Sequence, residues 1–159
     1  MVKEKGYSRD TVNLLQMQLD IMEAHLAEEE RSAACSPPFV LCDRSAIDPL
    51  VYTLLTASDG EDWNRRKWSF TSSERFQRAI REYKNSVVLL LEPVQEWLVD
   101  DGVRLTENQE RCLELFQLLL KELEIPYVRI GTEMTNLEER IDFVLRLIGS
   151  RRGVLDCIN

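Results

Sequence analysis

Asp43 and Arg44 close a short apolar run, Phe39-Val40-Leu41-Cys42, and Asp48 and Tyr52 follow them in a DRSxxDxxxY stretch. At the end of a strand in an open parallel sheet, where the ligand crevice lies, a carboxylate can hold Mg²⁺, directly or through water, or orient an attacking hydroxyl. A guanidinium beside it can grip phosphate through its planar fork. The spacing fits equally a strand-end salt bridge with a helix capped by Ser45 or Asp48.

Arg104 is a further candidate. It follows Asp101-Gly102-Val103 in a lid-like loop, 99–106, where a mobile segment would bring it over a phosphate during transfer. Gly102 as a helix stop followed by a solvated arginine accounts for the same residues. Trp63-Asn64-Arg65-Arg66-Lys67-Trp68 interleaves rings and bases, the mixture that stacks on nucleobases and neutralises phosphates. Self-packing or a substrate-side contact is the plainer reading of so short a segment. A phosphate-cradling loop needs glycines where backbone amides approach the anion, then Lys and Ser or Thr. None of Gly6, Gly60, Gly102, Gly131, Gly149 or Gly153 is followed by lysine, and no GxxxxGK[ST] pattern occurs in the 159 residues.

The elements that must position these side chains are legible from period and punctuation. Ser8 can cap a helix with Val12, Leu15, Leu19, Met22 and Leu26 on one stripe, widened by Leu14 and Ile21. His25 borders that stripe as a half-buried packing residue, and Glu28 to Glu30 read as solvated. After Ser36-Pro37-Pro38, the run Phe39 to Cys42 reads as a buried strand opening into a polar loop. Asp48-Pro49 then starts a helix carrying Leu50, Leu54, Val51 and Leu55 inward. Residues 59–70, DGEDWNRRKWSF, break the pattern as a loop or insertion.

Thr71 with Glu74 is a capping-box pair for a helix with Phe76, Ile80 and Tyr83 on one face. Ser86 to Leu91 has no polar alternation, the sign of a strand covered on both faces. Pro93 begins a short helix through Trp97 and Leu98, stopped at Asp100-Asp101-Gly102. Thr106 with Gln109 caps a helix bearing Cys112, Leu115, Phe116, Leu119, Leu120 and Leu123. Pro126 ends it, Tyr127 to Ile130 makes a third strand, and Thr135 with Glu138 caps a last helix presenting Leu137, Ile141, Val144, Leu145 and Ile148. Strands alternating with helices predict an α/β parallel sheet with functional loops at the strands' C-terminal ends. Residues 1–159 are expected to form a single domain.

Composition narrows the class. Acids outnumber bases 28 to 20, which disfavours general attraction to nucleic acid or anionic lipid. Cys35, Cys42, Cys112 and Cys157 fall in no metal-ligand spacing and share the chain with one histidine, so a zinc site is not expected. No apolar run spans a bilayer, and a reducing, cytoplasmic setting with free thiols fits.

Taken together, FVLCDRSAIDPLVY, VVLLLEPVQEWLVDDGVR and IPYVRI followed by LEERIDFVL resemble the small AAA-type P-loop domain of NadR-like ribosylnicotinamide kinases and TRPL translocation-defect proteins, from about Ser8 to Ile148. The resemblance implies a three-layer P-loop NTPase-like fold, with helices on both faces of five parallel strands ordered 2-3-1-4-5. Strands three to five would be present here, and the first two, with the phosphate loop, absent.

It implies ATP and Mg²⁺ as ligands and phosphoryl transfer as the ancestral activity. Asp43 resembles the family's metal-side or base carboxylate, with Mg²⁺ as its ligand, and Arg44 its anion contact. Asp48 and Tyr52 stand on the substrate side, Arg104 resembles the lid arginine, and Ile130-Gly131-Thr132 the turn where adenine is approached. The expectation is the C-terminal part of such a domain, incompetent alone. The alternative is a non-catalytic protein-interaction module derived from the fold. A lost central strand would leave Phe39 to Cys42 either pairing directly with Val87 to Leu91 or separated from it by a slot.

Overall fold

The structure is a computed structural model and describes residues 7, 11, 13–35, 39–94, 97 and 108–156. The first helix, α1, runs Leu15–Ala34 and buries Met17, Gln18, Met22 and Leu26. Its N-cap is Leu14, which has no side chain to offer the first amides; Ser8 and Val12 lie outside the described residues. The second, α2 (Ile47–Leu55), is the centre of the core, with Leu50 and Val51 fully buried. Each such side chain stabilises the fold by roughly 1.5–3 kcal/mol. The start of α2 is fixed by reciprocal bonds. Ser45 Oγ accepts from Ile47 N–H at 3.1 Å, and the Asp48 carboxylate accepts from Ser45 N–H at 2.8 Å.

Residues 59–70, expected as a loop or insertion, form α3 (Gly60–Thr71). The reason is the cap: Asp59 Oδ1 accepts from Glu61 and Asp62 N–H, both at 2.9 Å, which outweighs the helix-breaking tendency of Gly60. The basic residues of the stretch are then spent on ion pairs, Arg65 and Arg66 on Asp62 and Lys67 on Glu122. Thr71 ends α3 and so cannot cap the next helix; Ser73 does, for α4 (Glu74–Tyr83). Phe70 of α3 and Phe76 of α4 meet edge to face at 6.1 Å, a favoured aromatic geometry.

Two strands follow, β1 (Val88–Leu91) and β2 (Tyr127–Ile130), paired in parallel with Val88 opposite Tyr127 and Leu91 opposite Ile130. Helix α5 (Gln109–Glu122) carries the chain from one to the other. Thr106, expected as its cap, lies outside the described residues, and Asn108 takes the N-cap position in a left-handed conformation. The last helix, α6 (Leu137–Asp156), is capped by Asn136 and not by Thr135, because Asn136 Oδ1 is the atom that reaches Glu138 and Glu139 N–H.

Several expectations about burial are overturned, among them that of a strand covered on both faces at β1, where the described two-stranded sheet leaves Leu91 57% exposed. Phe39 to Cys42 joins no ladder, and Phe39, Val40 and Leu41 are 60%, 42% and 82% exposed. The described sheet is the pair β1 and β2, and apolar character by itself does not make a strand without a place in such a ladder. On α6, Leu137, Ile141 and Leu145 face solvent. A four-residue strand is about 13 Å long and a 20-residue helix about 30 Å, so this sheet is too small to cover the helix's apolar stripe. The architecture is thus a helix-rich α/β arrangement packed about α2, with one small parallel sheet. Among the described residues no helix is long and apolar enough to cross a membrane.

Candidate functional site

Arg44 sits between the apolar run and α2 at φ 78°, a left-handed conformation that side chains other than glycine, asparagine and aspartate adopt rarely. From there its charge reaches the Tyr52 hydroxyl. Asp48 and Tyr52 are four residues apart on α2, hence on one face of the helix. Arg44, Asp48 and Tyr52, predicted from the DRSxxDxxxY spacing, are therefore brought together, with Asp43 beside them. Burial raises the Tyr52 hydroxyl above its ordinary value and the Arg44 charge opposes that rise. His25 of α1 is half-buried near the same charges. Burial lowers its imidazole pKa while Asp48 pulls the other way, in keeping with a neutral packing residue.

A cavity of about 470 Å³ opens beside this cluster, lined by Asp43, Arg44 and Asp48. All four residues of β1 also line it. A cavity over one face of a strand would meet alternate residues, so this one runs along the strand's edge. Glu92 N–H donates to Ile130 O at 2.9 Å; by the two-residue period the polar groups of Val88 and Leu90 turn towards β2, and those of Leu89 and Leu91 turn away from it. The edge facing the cavity carries no strand among the described residues.

Two cavity-lining residues escaped the sequence reading. Glu29, within an acidic run that reads as solvated, is half-buried and accepts from the Tyr83 hydroxyl, with both carboxylate oxygens at 2.8 Å. Tyr83 Oη in turn accepts from Ala46 N–H at 3.2 Å, so the phenol joins α1, α4 and the start of α2. Burial pushes the Tyr83 hydroxyl far above its ordinary value, and Glu29 adds to it. Burial likewise raises Glu29. Nothing in the run Glu28-Glu29-Glu30 distinguishes its middle member; the long-range partner does.

Ile130, Gly131 and Thr132 stand at the C-terminal end of β2 but are not among the cavity's lining residues. Thr132 N–H donates to Glu92 Oε2 at 3.3 Å, linking the exits of the two strands, and Glu92 pairs with Arg129 at 3.2 Å. Glu92 closes the apolar run of β1, and an acid at that position was a legible signal. Arg140 of α6 is 8% exposed, donates to Gly131 O and Met134 O, and lies 4.5 Å from the Trp97 ring centroid. Arg104 and the whole segment 99–106 lie outside the described residues.

The cavity's charge does not suit a triphosphate unaided, because four carboxylates, Glu29, Asp43, Asp48 and Glu82, line it against one guanidinium, Arg44. Nor do the described residues include a group of three or more His, Cys, Asp or Glu placed to hold a metal ion. Asp43 alone would leave most of a Mg²⁺ shell to substrate phosphates and water.

A family model described as an AAA domain matches residues 1–140. No curated protein and no solved structure matches the chain. The matched span takes in α1 to β2 and the start of α6, with the whole Arg44 cluster and its cavity, and the chain belongs to the AAA-domain family of P-loop nucleotide-binding domains.

Proposed function

We propose that this chain supplies the acid-and-arginine wall of a NadR-like nucleotide kinase site and does not by itself hold ATP–Mg²⁺. The fold it belongs to is the three-layer sheet of that group. Asp43 is the metal-side or base carboxylate, Arg44 the anion contact, Asp48 and Tyr52 the substrate side, Arg104 the lid arginine, and Ile130-Gly131-Thr132 the adenine turn. The juxtaposition of Arg44 with Asp48 and Tyr52 beside a cavity along the edge of β1 supports this reading. Its negative lining and the lack of a GxxxxGK[ST] segment in the 159 residues support the incompetence. The free thiols Cys35, Cys42 and Cys112 accord with a reducing, cytoplasmic setting.

Isothermal calorimetry of the 159-residue chain with ATP–Mg²⁺ tests it. The expected result is no saturable heat at micromolar concentration and no phosphate release. Saturable binding, or hydrolysis lost in Asp43→Ala, would overturn the claim of incompetence.

A second reading, a non-catalytic interaction module, is favoured by the apolar exposure of Val40 and Leu91 around the cavity and of Leu41, next to Val40 in the chain. It predicts a cooperative, reversible thermal transition, where an unsupported portion of a larger sheet would aggregate on heating.

A further inference from the structure

The open side of β1 has a chemistry of its own. Leu89 and Leu91 turn their N–H and C=O groups away from β2, at the spacing of a ladder, and the sheet of described residues ends there. The 470 Å³ cavity lies along that edge. Its walls are apolar on the α5 side, through Leu113, Phe116 and Leu120, and acidic at the Glu29, Asp43 and Glu82 side. Leu91 is 57% exposed and Val40, across the opening, 42%. A row of backbone donors and acceptors is matched by another extended backbone, and not by a compact small molecule or a helix, whose peptide groups are internally paired. The charge balance selects further, since a segment with basic flanks complements the carboxylates at the rim.

We propose that this cavity binds an extended polypeptide segment of another chain, apolar at its centre and basic at its flanks, which adds to β1 as a further strand. The proposal deepens the interaction-module reading above and rests on it. Backbone bonds to Leu89 and Leu91 supply the register, and burial of the segment's apolar side chains against α5 supplies the affinity. Phe39 to Leu41, the apolar run that stands exposed, would gain cover on the same event.

The probe is acetyl-Lys-Lys-Val-Ile-Val-Ile-Lys-Lys-amide carrying a fluorophore, titrated with the 159-residue chain and read by anisotropy. Saturable micromolar binding is expected. N-methylation of the residues at one alternate set of positions should weaken it by about tenfold or more, and methylation of the other set should not, because only one set faces β1. Equal losses from both sets, or none, would overturn the proposal, since apolar sticking has no such alternation.

Leu89→Pro removes a donor on the open edge while leaving the Leu90 and Glu92 bonds to β2, and should weaken binding by a similar factor. Should that variant not fold, the methylated peptides still decide the matter on the native chain. Replacing the lysine flanks by glutamate should abolish binding at low salt; unchanged affinity would refute the charge argument. Self-association of the chain that the peptide competes away would assign the edge to a second copy and overturn the proposal. The thermal transition that tests the interaction-module reading is independent of all these readouts, so the peptide can fail while that reading stands.

Discussion

Tyr83 shows how much a single side chain can hold. Its hydroxyl donates to Glu29 and accepts from Ala46 N–H, so Tyr83→Phe leaves a half-buried carboxylate and a backbone amide each short of a partner. The expected cost is about 1–2 kcal/mol, seen as a lower denaturant midpoint at unchanged slope. Thr53 gives the opposite case. Its Oγ1 is fully buried on α2 and has no hydrogen-bond partner among the described residues. Thr53→Val removes a desolvated hydroxyl at nearly constant shape and is expected to stabilise the protein by about 1 kcal/mol.

Asp62 titrates in a way that stability can report. The Ser58 N–H bond, then the Arg65 and Arg66 guanidiniums, pull its carboxyl down to about 2 from 3.8. A carboxyl with a depressed folded pKa binds its proton more readily when unfolded, so its stabilisation is complete above the ordinary value and lost as pH falls from 3.8 towards 2. The melting temperature should drop across that window, and drop less in Asp62→Asn, as differential scanning calorimetry would record.

Helix ends decide the next scale. Asn136 makes the bonds that start α6, so Asn136→Ala should cost about 1 kcal/mol and Thr135→Ala close to nothing. At the other end of α5, Glu124 sits at φ 56° while Ile125 N–H donates to Leu120 O and Glu124 N–H to Lys121 O. That is the left-handed helix stop in which glycine is usual, and Glu124→Gly should raise stability by about 1 kcal/mol; a urea titration checks both helices.

These ends also mark where sequence reading is reliable. The existence of α1, α2, α4, α5, α6, β1 and β2 follows from apolar period, but the capping residue shifts by one or two positions wherever two candidates adjoin, as with Thr71 and Ser73 or Thr135 and Asn136. Helix α3 was hidden because its two tryptophans and three bases disguise a polar helix that Asp59 nucleates. The grouping of Asp48 with Tyr52 was legible because residues four apart on one helix share a face, while their link to Arg44 came from the resemblance of the DRSxxDxxxY stretch. The Glu29–Tyr83 contact was not, since 54 residues separate its members.

For the molecule as a whole, an open strand edge, an exposed Phe39 to Leu41 run and an uncovered α6 stripe coexist with a net charge of −8. Like-charge repulsion is what keeps such surfaces apart in solution. As pH approaches the sequence pI of 4.8 that repulsion fades, and light scattering should rise steeply. Leu41→Glu, which adds a negative charge at the most exposed residue of the run without touching the core and lowers the pI, should delay the rise.

The Arg140 guanidinium grips Gly131 O and Met134 O while stacking on Trp97, so it yokes the exits of both strands to the head of α6. A substitution that removes the Trp97 ring is therefore expected to be felt at the turn beyond β2, because one guanidinium serves both. Cutting the yoke, as in Arg140→Ala, would uncouple the two.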